Sequence, residues 1–417
     1  MGDPVSTGRG GAAVVAAALL ALGCGRGAPP RPPADSRVEP LVLGRPTPPP
    51  EGALPVAAIF PTVGRYALSG VQSLNGVRLA VEDVNRAGGV HGRPLALLEY
   101  RTGSYFLDAR QAASLAAEAG ALAVVGSNSS DLSMAIAEEV EALGVLQVSN
   151  VSTAQDLTWD PATGEDRAFV FRVCSSDVVM ATHLATFARE TLRARRAAVL
   201  YEVGRAYSAR MARAFVDGFR DPGGSRPVAE FFYLALETDF RPQLRQVQGF
   251  APDVLFLPGS FTDATLIARQ GAALGLEATL LGADAWSSPL LFKRGGPSRP
   301  AYFVDHCSPP AAFDERYLAA FGQPTQGCRA ALAYDALRTV AAGLEAVGPV
   351  GDDELRDRRG AVRGRLRDAV AAADVVGVTG RVRFDAVGDR RTGVAVMQVG
   401  VGPAGPRTSL RGWVGER

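Results

Sequence analysis

At 417 residues the chain has room for two domains of ordinary size. A hydrophobic share of 47% with 21% charged residues excludes a disordered or fibrous chain and describes a globular protein with large cores. The formal net charge of +1 gives no reason to expect nucleic acid or an anionic membrane surface as the main partner. Lys293 is the one lysine, so the basic residues are nearly all Arg, a bias of coding rather than of mechanism.

The N-terminal segment reads as an export signal. Arg9 is a thin positive region, and Gly11 to Leu22 is an apolar run too short to span a bilayer. It ends in Ala21-Leu22-Gly23-Cys24, which resembles a bacterial lipobox, with Ala21 where Leu is commoner. That resemblance implies a signal peptide over 1–24 and a lipid on Cys24. Residues 25–54 are dense in proline, among them Pro29, Pro30, Pro32, Pro33, Pro48, Pro49 and Pro50. Such composition buries little apolar surface, so the segment is expected to be a disordered, semi-extended tether.

Leu54 to Phe60 is a short apolar strand, followed by a turn at Pro61-Thr62-Val63-Gly64. A helix starts near Ser69, carries Leu74, Val77, Val81 and Val84 on one face, and stops at Ala87-Gly88-Gly89. Pro94 to Tyr100 is a second strand, and Asp108 to Ala119 a second helix. Ala121 to Val125 is an apolar strand closed by Gly126, and Ser127-Asn128-Ser129-Ser130-Asp131 offers N-caps for a third helix. Met134, Ile136, Val140 and Leu143 give that helix an apolar stripe, and Gly144 ends it. Val145 to Val148 is the next strand, followed by a second hydroxyl turn, Ser149 to Thr153. Two neighbouring strands thus bring hydroxyls and helix-terminus N–H groups to one sheet edge. Open α/β sheets bind ligands there, and a helix N-terminus suits a carboxylate or phosphate.

Trp159 to Asp166 is expected as a surface loop, and Phe169 to Val173 as extended chain. Ser176-Asp177 caps a helix to Thr191. The alternation then restarts, with strands at Arg196–Tyr201, Val228–Leu234, Val254–Leu257 and Thr279–Leu281. Helices at Ser208–Phe219, Asp239–Gln248 and Asp263–Leu274 lie between them. The pattern predicts two α/β halves of parallel βαβ units, with a break near 172–178. Tyr302–Val304 is extended, and helices follow at Ala311–Phe321, Arg329–Val347 and Glu354–Ala373. A terminal hairpin is expected from Arg381–Phe384, a turn at Val387-Gly388-Asp389, and Val394–Val399.

The order of short motifs along this pattern resembles the type I periplasmic binding proteins, in the Leu/Ile/Val-binding branch that feeds ABC importers. The motifs are Asn75-Gly76 through Glu82-Asp83-Val84-Asn85 with Gly88-Gly89-Val90-His91-Gly92-Arg93; Val124-Val125-Gly126-Ser127; Phe171-Arg172 through Ser176-Asp177; Ala198-Val199-Leu200-Tyr201; Thr238-Asp239-Phe240; Leu281-Gly282-Ala283-Asp284 with Trp286; Ala333-Tyr334-Asp335-Ala336; and Gly377-Val378-Thr379-Gly380 with Phe384-Asp385 and Gly388-Asp389. They cover roughly residues 54–400. The resemblance implies two Rossmann-like lobes joined by three crossings and closing on a ligand. It implies a first lobe of 55–175 plus 307–391 and a second of 176–306 plus 392–417. The ligand carboxylate would meet Ser129 and Ser130. The ammonium would meet Thr153, with Val151 nearby, and Asp284. Tyr207 and Phe261 would come from the second lobe. Ser69 replaces the aromatic residue usual in amino-acid binders, and Arg101-Thr102 a usual acidic pair.

Other residues have plainer expectations. Cys174 reads as a small buried hydrophobe, and an odd cysteine count after Cys24 leaves at least one of Cys174, Cys307 and Cys328 unpaired. His91, His183 and His306 have no ligand spacing and read as incidental. Trp286 is expected to pack behind the cleft, and Arg356 to Arg367 to be a solvated helix face. The chain has no Gly-x-Ser-x-Gly elbow, no phosphate loop ending in Gly-Lys and no metal-ligand spacing, so an enzyme is not expected, nor a cofactor. The expected partners are a small ligand, a permease, and the membrane through lipid alone, with the protein a monomer. The alternative is a ligand sensor or adaptor of the same fold.

Overall fold

The computed structural model describes residues 42–43, 46–220, 226–288, 290–292, 299–356, 360–402 and 405–415. The first half supplies β1 (Val42–Leu43), β2 (Leu54–Pro61), α1 (Ala67–Arg86), β3 (Leu95–Thr102), α2 (Phe106–Glu118), β4 (Ala123–Val125), α3 (Ser130–Leu143) and β5 (Leu146–Ser149). A two-stranded ribbon, β6 (Trp159–Asp160) with β7 (Glu165–Asp166), precedes β8 (Val170–Arg172). The sheet order is β1-β3-β2-β4-β5-β8, parallel except for the edge strand β1. β2 lies inside this sheet, and all eight of its residues are buried. Leu54, Val56, Ala58 and Phe60 face one core, and Ala57 and Ile59 another. A strand covered on both faces has no polar side, which is why it reads as an unbroken apolar run.

The second half runs α4 (Asp177–Glu190), β9 (Ala197–Glu202), α5 (Ala206–Phe219), β10 (Val228–Tyr233), α6 (Arg241–Phe250), β11 (Val254–Phe256), α7 (Phe261–Ala273), β12 (Thr279–Gly282) and β13 (Ala301–Asp305). The chain then returns through α8 (Ala311–Phe321), α9 (Arg329–Val347), α10 (Asp352–Arg356) and α11 (Ala361–Ala371) to the first core, where Leu332, Leu337 and Leu344 pack with the β2 residues. At Gly76 a Cβ would overlap the Ala330 carbonyl, so glycine lets α1 and α9 touch backbone to backbone. The small pair β14 (Val375–Gly377) and β15 (Gly380–Val382) follows, then β16 (Val394–Gly402) and β17 (Gly405–Val414). The second sheet is ordered β10-β9-β11-β12-β13-β16-β17. The architecture is therefore two α/β lobes, and the chain passes between their sheets after β8, after β13 and before β16.

Two buried arginines hold the crossings. Arg172, with no exposed surface, grips Asp389 through Nε at 2.6 Å and Nη2 at 2.5 Å, and its Nη1 donates to the Ala154 carbonyl at 2.5 Å. Arg390 donates to the Val173 carbonyl at 3.1 Å and the Thr379 hydroxyl at 2.8 Å. Cys307, at the second crossing, forms a disulfide with Cys328, leaving Cys174 as a buried free thiol pushed up to about 12 by burial.

Several expectations change. Cys24, the segment 1–24 and most of the tether lie outside the described residues, but Val42–Leu43 pairs with Arg101 and Thr102, so the tether does not run unstructured to residue 54. Leu143 is 42% exposed and leaves the α3 stripe, whose buried members are Leu132, Ala135, Ile136, Ala137 and Val140. The helix expected over Glu354–Ala373 is split into α10 and α11, with Gly360 in the left-handed region at the start of the latter. Arg363 is not on a solvated face. It is buried and donates to the carbonyls of Ala117 and Ala121. The terminal hairpin joins β16 to β17, and Arg381–Val382 instead pairs with β14.

Candidate functional site

In an open α/β sheet, ligands bind at the carboxyl ends of strands where the winding reverses. In the first sheet β2 is followed outward by β3 on one side and flanked by β4 on the other, so the reversal lies between β2 and β4. In the second it lies between β9 and β11. The first places the candidate site at the start of α1, with Tyr66 and Ser69, and at the turn from Gly126 to Ser130. The second points to the starts of α5 and α7, which carry Tyr207 and Phe261.

Gly126 has φ +149°, and a Cβ there would overlap the Ile59 carbonyl oxygen, so the turn after β4 is built around glycine. Ser133 then organises the hydroxyls: its Oγ accepts from Ser127 N at 2.8 Å and lies 2.6 Å from Ser152 Oγ. Ser149, Asn150 and Ser152 are fully buried, and Asn150 donates to Ser73 Oγ at 2.9 Å. These residues build the turns. Ser129 is the N-cap residue of α3, yet its hydroxyl donates to Asp131 at 2.6 Å and its oxygen accepts no cap hydrogen bond from the helix N–H groups. Ser130 Oγ accepts from Ala154 N at 3.3 Å and pins the two turns together. Val151 packs on the core and is half-buried. Thr153 is buried, and its carbonyl accepts from Asp177 N at 2.9 Å.

Ser69 donates to the Tyr66 carbonyl at 3.0 Å and accepts from Asn128 Nδ2. Tyr66, the N-cap residue of α1, lies under the Arg65 guanidinium at 4.4 Å. Burial and then Asp131 raise the Tyr66 hydroxyl, while Arg65 and Arg205 lower it. Arg205 belongs to the second lobe, so the lobes approach each other here.

Across the cleft, Tyr207 donates to Asp284 Oδ1 at 2.6 Å, and His306 Nε2 lies 3.7 Å from Oδ2. Burial pushes the Asp284 carboxyl up, but His306 and Tyr207 outweigh it and hold the group below its ordinary value. Burial, followed by Asp284, raises Tyr207 well above the usual phenol range. Phe261 differs: it lies within the Ser260–Asp263 capping box and packs, partly buried, against the core that holds Leu257 and Trp286. Trp286 itself has no exposed surface.

Three neighbours escaped the sequence reading. Asp177 is fully buried, bonded by Arg210 Nε at 2.9 Å, and raised to about 6 by burial and Asp284 against the pull of Thr153 and Arg210. Its sequence signals were a helix cap and a place at the end of the Phe171 to Asp177 motif, neither of which gave it a role in the site. His306 and Arg205 had none, because their partners lie far away in the chain. Among the described residues no cluster suits a metal ion, and no helix is long and apolar enough to cross a membrane.

A family model described as periplasmic binding protein matches residues 53–404. The chain belongs to the periplasmic binding protein family. Among its relatives, the Leu/Ile/Val-binding protein homolog 3 of Brucella melitensis is 26% identical over 305 residues, spanning 71% of this chain and 80% of the relative. A leucine-binding protein of Thermotoga maritima matches with TM-score 0.71 and 26% identity, over 87% of this chain and 99% of that one. A solute-binding protein from R. palustris, solved with benzoate, shares the fold at TM-score 0.68 and 20% identity, over 88% of this chain and 98% of its own. These relatives are binding proteins rather than enzymes.

Proposed function

We propose that this exported binding protein captures an amino acid, or a related small carboxylate, between its lobes and delivers it to the permease of an ABC importer. In this reading residues 55–175 with 307–391 close against 176–306 with 392–417. The observation that carries it is the complementary pair of half-sites. The first lobe offers Ser130 and the N–H groups that begin α3, suited to a carboxylate, with the Ser129 hydroxyl turned to Asp131 beside them. The second offers the Asp284 carboxylate, oriented by Tyr207 and suited to an ammonium. Thr153 and Val151 line the turn between them, and Ser69 with Tyr66 borders the ligand's side chain. Phe261 is partly buried against the core and carries less of this reading. A lipid on Cys24 would be the sole membrane contact, the protein acting as a monomer without cofactor or nucleic acid.

The test is a thermal-shift screen of the purified protein against amino acids and small carboxylates, followed by calorimetry on Asp284→Asn. The variant keeps the shape and removes the charge. It should abolish amino-acid binding and leave a des-amino analogue much less affected. Wild-type affinities for both would reduce Asp284 to a turn residue. An adjacent permease and ATPase gene pair would favour import over sensing.

A further inference from the structure

We propose that His306 sets the charge of the Asp284 subsite, so that its protonation decides between amino acids and carboxylates lacking the ammonium. The inference rests on the reading of Asp284 as the ammonium's partner. His306 directly follows β13, at the second crossing, and is 3% exposed. It stands between two acids. Its own backbone N–H donates to Asp305 Oδ1 at 2.8 Å, and Asp305 Oδ2 is bonded by the Ser287 hydroxyl. On the other side its Nε2 faces Asp284 Oδ2 at 3.7 Å. Among the described residues neither ring nitrogen makes a hydrogen bond within 3.5 Å, and the Asp284 carboxylate 3.7 Å from Nε2 is the acid it faces. A buried polar atom left without a hydrogen bond is an exception in folded proteins and points to a role beyond packing. Here the imidazole faces a carboxylate whose other oxygen is already taken by Tyr207.

The remaining charged groups around this pair are few. Arg329 of α9 acts on both Asp284 and Asp305. Asp177 of α4 repels Asp284 and is itself bonded by Arg210 of α5. With His306 neutral, the Asp284 charge is available to a ligand ammonium. With His306 protonated, a buried ion pair already exists, and an incoming ammonium meets a cation beside its acceptor. A ligand with a carboxylate alone then leaves no bare charge behind, because imidazolium and Asp284 neutralise each other. His306 acts through Asp284 and is a positioning residue.

The test is calorimetry on the purified protein with L-leucine and with 4-methylpentanoate, its des-amino analogue. Measurements at about pH 8 and about pH 5.5 bracket the ordinary imidazole range. Leucine should weaken about tenfold at the lower pH, a usual size for coupling between two sites, while 4-methylpentanoate should hold or tighten. His306→Gln and His306→Asn stay neutral throughout and should cut the leucine change to about threefold or less, the remainder coming from Asp177, raised to about 6. Parallel weakening of both ligands in the wild type would overturn the proposal without any variant. So would variants that keep the wild-type leucine ratio. Binding of neither ligand at either pH would instead remove the amino-acid reading, and this proposal with it.

Discussion

Asp389→Asn probes the clamp that joins the first and third crossings to the turn bearing Thr153. Arg172 has no exposed surface, and two of its nitrogens bond the Asp389 carboxylate at 2.6 and 2.5 Å. Its Nη1 holds the carbonyls of Ala154 at 2.5 Å and Ser152 at 3.3 Å, on either side of Thr153. Burial alone would drive the guanidinium toward its neutral form, but Asp389 outweighs burial and raises its pKa. Asparagine keeps one acceptor and turns an NH2 toward the guanidinium. The cation stays buried without a counter-charge, which typically costs about 3–5 kcal/mol. Asp389 is 21% exposed, so water can enter on its side and the expected loss is near the lower figure, about 3 kcal/mol. Urea unfolding of wild type and variant would measure it as a lower midpoint at unchanged slope. Arg172→Met, which leaves the partly exposed Asp389 free to hydrate, should lose less. A loss under about 1 kcal/mol in Asp389→Asn, the range of an exposed pair, would refute the reasoning.

Ser130→Ala removes the hydroxyl that accepts from Ala154 N, and calorimetry with an identified ligand should show at least several-fold weaker binding, from roughly 1.5–3 kcal/mol per hydrogen bond to a charged group. An unchanged dissociation constant would exclude a direct role. Asp177 has its folded pKa raised from 3.8 to about 6, so the stability of its protonated form is complete below about pH 4 and is lost as pH rises through about 6. Melting temperatures across that window should fall more steeply in wild type than in Asp177→Asn, and equal slopes would mean Asp177 titrates normally. Replacing Cys307 and Cys328 together by alanine frees a crossing closed over a sequence separation of 21 and should lower stability by roughly 3 kcal/mol in denaturant titration. Radiolabelled palmitate should enter the wild-type protein in cells and not Cys24→Ala, and equal labelling would rule out lipidation at that residue.

Local rules made much of the fold legible. The run Leu54 to Phe60 lacks a polar face because both faces of β2 are covered. Gly144, at φ 60°, stops α3, and Ser176 caps α4 by accepting from Val179 N. The ends of α8 and α9 match the sequence reading residue for residue, since periodicity and caps are set within one or two turns of chain. The hydroxyl turns were also legible, but not which hydroxyls face the cleft, because Ser133, six residues beyond Ser127, claims the inner ones. Strand pairing was decided by the whole molecule: β16 lies between β13 and β17, and nothing near Arg381 in sequence announces that. The same holds for Arg172, Arg363 and His306 among the buried ionisable side chains. Arg363 was expected in water and lies under the carbonyls of Ala117, near the end of α2, and Ala121, and His306 was expected to be incidental and lies against Asp284. A charge is tolerated inside a protein only where a partner neutralises it or satisfies its hydrogen bonds. Those partners stand tens to hundreds of residues away, as Asp389 does from Arg172, so the tertiary structure decides which charges enter the core and therefore where the site is.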